Sequence, residues 1–143
     1  MKADENYWAR QVEIQEVEVG AWAALDEGKK QEALLQMKSA AQMEDGTEKS
    51  AVTPGPLAPA RELLGEMLLE MKEPAQALEQ FETTLQKEPG RLRALYGAAH
   101  AAELSGKPKI SQEHFRELER VCARADAPGR AAWLEANKAT SQK

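Results

Sequence analysis

The chain has 143 residues, a formal net charge of −5 and 42% hydrophobic residues, with just two Phe and two Tyr among them. That length suits one domain with a real core, and the abundance of Ala, Leu, Glu, Gln and Lys favours helices packed through small aliphatic faces. The charge is uneven: residues 1–26 carry two basic and six acidic side chains, and residues 107–143 eight basic and five acidic. A broad basic face is lacking, which argues against general nucleic-acid binding, and no apolar run approaches the ~20 residues of a membrane span. A single Cys122 leaves no internal disulfide framework and no cysteine-built metal cluster, and its apolar neighbours read as a buried, inert thiol. No charged-then-apolar leader is visible, so the expected location is cytoplasmic unless the chain is a piece of an exported protein.

In chain order, residues from about 6 to 26 form the first predicted helix. Val12-Glu-Ile14 and Val17-Glu-Val19 alternate as a strand would, but Ile14, Val17, Ala21 and Ala24/Leu25 follow one helical face over the whole window. Gly28 makes the turn. A second helix covers Gln31 to Met43, with Ala33, Leu34, Met37, Ala40 and Ala41 inward, closing a hairpin over about 6–44. Residues 45–57, DGTEKSAVTPGPL, lack apolar periodicity and read as a Pro-stiffened inserted loop. The next hairpin, about 58–90, begins near Pro59 and places Leu63, Leu64, Met67, Leu68 and Met71 at helical spacing. After Glu73–Pro74 a partner helix carries Ala77, Leu78, Phe81 and Leu85 on one face, and Pro89–Gly90 stops it. A third hairpin, about 92–123, turns at Ser105–Pro108; Pro74/Pro108 and Phe81/Phe115 repeat at an interval of 34 residues. Asp126 is a good N-cap for a capping helix over 127–138 with Trp133 as its plug, and residues 139–143 are expected to fray.

Leu64–Gly65, Leu68, Ala77, Phe81 and Pro89 fall on the L-G-x2-Y…A-x3-F…P skeleton, so residues 58–91 resemble the tetratricopeptide repeat (TPR) family. Leu68 replaces the usual Tyr, and Arg61 stands where a Trp is typical. The third hairpin matches less closely: Ala98–Ala99 replaces Leu–Gly, Ala102 takes the Tyr position, and Ser111 replaces Ala. Residues 32–37, EALLQM, echo residues 76–81, QALEQF, at a separation of 44, about ten more than the repeat length of 34. The excess falls in the 45–57 loop. The stretch VTPGPLAPARELLGE is further similar to one found in uncharacterised bacterial TPR proteins, a likeness that brings no activity with it. The resemblance implies an all-α, right-handed solenoid of three helical hairpins plus a C-terminal capping helix, occupying residues 1–138 as a single domain.

His100 and His114 are the two histidines, with no H-E-x-x-H or Cys/His spacing, no phosphate-cradling glycine loop and no G-x-S-x-G, so no enzyme, cofactor or metal site is expected. In TPR arrays the first helix of each pair lines an inner groove. By register the resemblance assigns that groove to Gln15, Glu18, Trp22, Leu25 and Asp26 in the first pair. The second pair supplies Pro59, Glu62, Glu66, Leu69 and Glu70, and the third Arg93, Tyr96, His100, Glu103 and Leu104. The set is acidic with aromatic interruptions, which suits a peptide bearing Lys or Arg. Of the Lys and Asn that the family uses to clamp a peptide's terminal carboxylate, only Arg93 stands in, so binding of chaperone tails is not expected. The function expected is therefore a protein-interaction scaffold. One alternative is a self-associating piece of a longer array, stacking end to end; another is a small-molecule or metal-binding domain using His100 and the Pro-rich loop.

Overall fold

The computed structural model describes residues 2–47, 56–123 and 131–141. Among the described residues seven helices follow one another: α1 (Lys2–Asp26), α2 (Lys30–Asp45), α3 (Ala60–Glu70), α4 (Pro74–Lys87), α5 (Leu92–Leu104), α6 (Pro108–Cys122) and α7 (Ala131–Ser141). They pair as hairpins α1/α2, α3/α4 and α5/α6, each stacked on the next, with α7 laid against α6. The strand-like alternation near Val12 is absorbed in one continuous helix, because the stripe Ile14, Ala21 and Ala24 is what the core covers. No helix among the described residues is long and apolar enough to cross a membrane.

The three hairpins share one turn. Gly28, Lys72 and Gly106 each adopt a positive φ, of 79°, 64° and 70°. In each, the following residue donates its N–H back to the helix just ended: Lys29 to the Ala24 carbonyl (2.9 Å), Glu73 to Leu68 (2.8 Å) and Lys107 to Ala102 (2.9 Å). This is the left-handed helix stop that satisfies orphan carbonyls, and glycine normally supplies it. Lys72 does so with a side chain, a substitution the repeat pattern had hidden. Pro74 and Pro108 then start α4 and α6, where a missing N–H costs nothing.

Between α2 and α3 the chain is tied at both ends. Glu44 Oε2 accepts the Ala60 N–H at 2.8 Å, capping α3, and Arg61 Nε donates to Asp45 Oδ2 at 2.9 Å. Lys87 of α4 reaches the same Asp45 carboxylate. Residues 48–55, most of the stretch expected to be an inserted loop, lie outside the described residues, as do Asp126 and Pro128 before α7.

Two apolar clusters make the core. The larger joins the first two hairpins to α5 through Ile14, Met37, Leu64, Met67, Leu68, Leu78 and Phe81. The smaller gathers Leu95, Phe115, Leu118, Cys122 and Ala136 under α7, and Leu85 packs on both. Two expectations need correction here. Residues 139–141 continue α7 as helix rather than fraying, because Ala139 packs against the smaller cluster. The fully covered residue of the capping helix is Ala136, while Trp133 is half-buried.

Candidate protein-binding groove

The first helices of successive hairpins, α3 and α5, and then α7, line a cleft of about 600 Å³. Its surface is mainly apolar: Leu69 from α3, Leu92, Tyr96 and Leu104 from α5, and Ala131 and Ala132 from α7. The floor opens at Gly97, where a Cβ would come 2.4 Å from Phe81 Cζ. Leu104, the last residue of α5, is 66% exposed.

Polar bridges cross the groove from helix to helix. Arg93 of α5 donates to Glu66 of α3 at 2.6 Å. Beneath that pair, Arg91 Nε donates to the fully buried Glu62 at 2.7 Å, and Arg93 Nε lies 3.6 Å from the other Glu62 oxygen. Arg91 also meets Glu88 at 3.2 Å and the Leu57 carbonyl. Further along, Tyr96 Oη donates to Glu135 Oε2 of α7 at 2.6 Å, and His100 Nε2 lies 3.0 Å from Glu135 Oε1. The Tyr96 and His100 rings meet edge to face at 4.5 Å, and Phe115 backs His100 at 5.9 Å. Burial, then the bond and charge of Glu135, push the Tyr96 hydroxyl up to about 12. The same bond holds the Glu135 carboxyl below its usual range, against the opposing effect of burial.

The fifteen groove positions expected by register do not form one acidic lining. Glu66, Leu69, Arg93, Tyr96, His100 and Leu104 line the cleft together. Glu70 and Glu103 stand exposed next to Leu69 and Leu104. Glu62 is not a free groove carboxylate, since it is buried and paired with Arg91. Glu18 lies on the buried stripe of α1, where burial and then the charge of Glu44 push its carboxyl up to about 7. Trp22 and Leu25 pack half-buried on the larger cluster, and Gln15 and Asp26 are exposed. Pro59 is buried at the start of α3, bordering a separate cavity of about 310 Å³ with Tyr7, Glu44 and Arg61. Arg91 and Glu135 were missed by the register because they sit outside the five groove positions of any repeat. Arg91 is the N-cap of α5, and Glu135 belongs to the helix after the last repeat. His114 turns away to Glu82 at 3.7 Å, and among the described residues no group of three or more His, Cys, Asp or Glu is placed to hold a metal ion.

No protein-family model matches the chain, and neither does any curated protein. Solved structures do. PcrH from Pseudomonas aeruginosa is 14% identical with a TM-score of 0.67, covering 89% of this chain and 88% of PcrH. PcrH in complex with the chaperone binding region of PopB gives a TM-score of 0.67 at 14% identity, over 88% and 93% of the two chains. PcrH in complex with the chaperone binding region of PopD gives 0.70 at 14% identity, over 91% and 90%. The fold is therefore an all-α, TPR-like right-handed solenoid of three hairpins and a capping helix, the architecture of those chaperone structures.

Proposed function

We propose that the protein is an interaction module that holds an apolar segment of a partner protein, flanked by Lys or Arg, in the cleft between α3, α5 and α7. The observation that carries this reading is the apolar cleft itself, with the exposed Leu104 in its lining; Glu103 and Glu70 are exposed residues adjacent in sequence to the lining Leu104 and Leu69. Apolar contact supplies affinity there, and the two carboxylates supply charge selection. Structures of the same architecture with bound regions of PopB and PopD support a protein segment as the occupant. Binding is read by titrating labelled peptides of equal apolar content, flanked by Lys/Arg or by Asp/Glu, at low and physiological salt. The Lys/Arg set binds, and more weakly as salt rises, because exposed charge pairs are screened within ~8–10 Å. Leu104→Asp abolishes binding and Glu103→Lys weakens it, with helix content unchanged in both. Equal binding of the two sets removes the charge selection, and no binding of either at low salt removes the cleft as a site.

A second reading has an observation of its own. Trp8, Val12 and Val19 share one face of α1 and are 51%, 55% and 69% exposed. End-to-end association of copies would cover that stripe. Light scattering across concentration tests it: mass that rises with concentration, and falls back with Trp8→Glu, favours association.

A further inference from the structure

The cleft just assigned has one wall that is lightly attached. In α7 only Ala136 is fully covered; Ala132, Trp133 and Ala139 pack partly on the smaller cluster, and Leu134 is 45% exposed. The polar tie of α7 to the groove is Glu135, with Oε2 on the Tyr96 hydroxyl at 2.6 Å and Oε1 3.0 Å from His100 Nε2. That second approach falls outside hydrogen-bond geometry, so His100 Nε2 is buried with Glu135 beside it but without a hydrogen-bond partner among the described residues. Lys138 of α7 adds its charge near Glu135, and Glu66, held by Arg93, faces the same cleft from α3. A space of about 600 Å³ takes a few side chains. A helical segment, about 10–12 Å across with its side chains, seats deeply between α3, α5 and α7 when a wall yields and rests on the cleft's open mouth when none does. Ala131 and Ala132 make α7 that wall.

We propose that α7 is a displaceable wall of the cleft and that Glu135 is its bolt, engaged on the Tyr96 hydroxyl in the unliganded protein and released when a helical partner segment enters. This rests on the cleft being the binding site. Hydrogen bonds to an ionised carboxylate are the strong ones, so one residue suffices to hold a helix whose apolar seat is small. The hidden, unsatisfied imidazole nitrogen gains a partner or water once Glu135 leaves, which lowers the cost of release.

The test joins two readouts on the intact chain carrying Tyr96→Phe, and separately Glu135→Gln. Amide exchange is followed in α7, with α1 and α2 as internal reference, and association of an apolar, Lys-bearing helical peptide is followed by stopped flow. Tyr96→Phe speeds exchange in α7 by about 10–100-fold, the worth of one charge-assisted hydrogen bond, and leaves α1 and α2 unchanged. The peptide then associates several-fold faster with both variants. Unchanged exchange in α7 overturns the bolt. Faster exchange with unchanged or slower association makes α7 a fixed wall and overturns the gate. Absence of binding by the wild-type chain and both variants overturns the cleft itself, and the gate with it, whatever the exchange shows.

Discussion

Phe81 is held between two backbones. A Cβ on Gly65 of α3 would meet its ring at 2.8 Å, and one on Gly97 of α5 at 2.4 Å, so the ring has no free side to turn to. Gly97→Ala therefore destabilises by about 1–3 kcal/mol through overpacking, despite the ~1 kcal/mol that Ala gains over Gly in a helix. Urea unfolding checks it, and pairing with Phe81→Leu recovers part of the loss, because the two changes share one contact. Glu18 offers a second test at this scale. Its carboxyl sits at about 7 in the folded protein against a reference of 4.5, so folding favours the protonated form. The stability it contributes is whole below about 4.5 and lost as pH rises through about 7. Glu18→Gln, which is permanently neutral, is therefore nearly silent at pH 4 and stabilises at pH 8 by roughly 2–3 kcal/mol, allowing for partial solvent screening. A stability gain that does not grow with pH would place Glu18 in water.

Turns show how far the helical elements can be read from the residues alone. Gly28 and Gly106 announce a left-handed stop, and Pro74 and Pro108 announce the helix that follows. At the middle hairpin Pro74 is present but the stop falls on Lys72, at φ 64°, so one of the two signals is missing where the geometry is the same. The helix pairs were legible because apolar spacing and prolines are local properties. The ends of α1 and α7 were less so: both run beyond the expected limits, α1 starting at Lys2 and α7 reaching Ser141. Lys72 is exposed, so replacing it touches little but the backbone. Lys72→Gly stabilises by about 0.5–1 kcal/mol, the strain relieved at a left-handed position less the entropy that glycine adds to the unfolded chain. Thermal melting of the variant beside the wild type reads this, and a lower melting point refutes the strain.

For the whole molecule, register placed six of its expected positions on the lining of one cleft but carried no account of how its charges pair. Glu62, Glu66, Arg93, Tyr96 and His100 were all placed on first helices by the repeat, yet Arg91 and Glu135, from outside the groove positions, decide which of them stay free. A pattern of five positions per helix carries no information about what a turn residue or a terminal helix reaches across to touch. Glu18 shows the same limit: its position lies on the buried stripe of α1, whereas Glu66 lines the open cleft, so the same face of a first helix is covered or open depending on its neighbours. Stacking also shapes how the molecule comes apart, since each hairpin touches chiefly the next. Phe81 belongs to the cluster that joins the first two hairpins to α5, whereas Phe115 belongs to the smaller cluster under α7. Phe81→Ala should thus cost about 3–5 kcal/mol and raise amide exchange from α1 through α5. Phe115→Ala, of similar cost, raises exchange first in α5, α6 and α7 and leaves α1 and α2 protected, because between the two ends the clusters share the half-buried Leu85. Uniform acceleration along all helices by Phe115→Ala would mean that the two clusters unfold as one unit and that the solenoid is cooperative over its whole length.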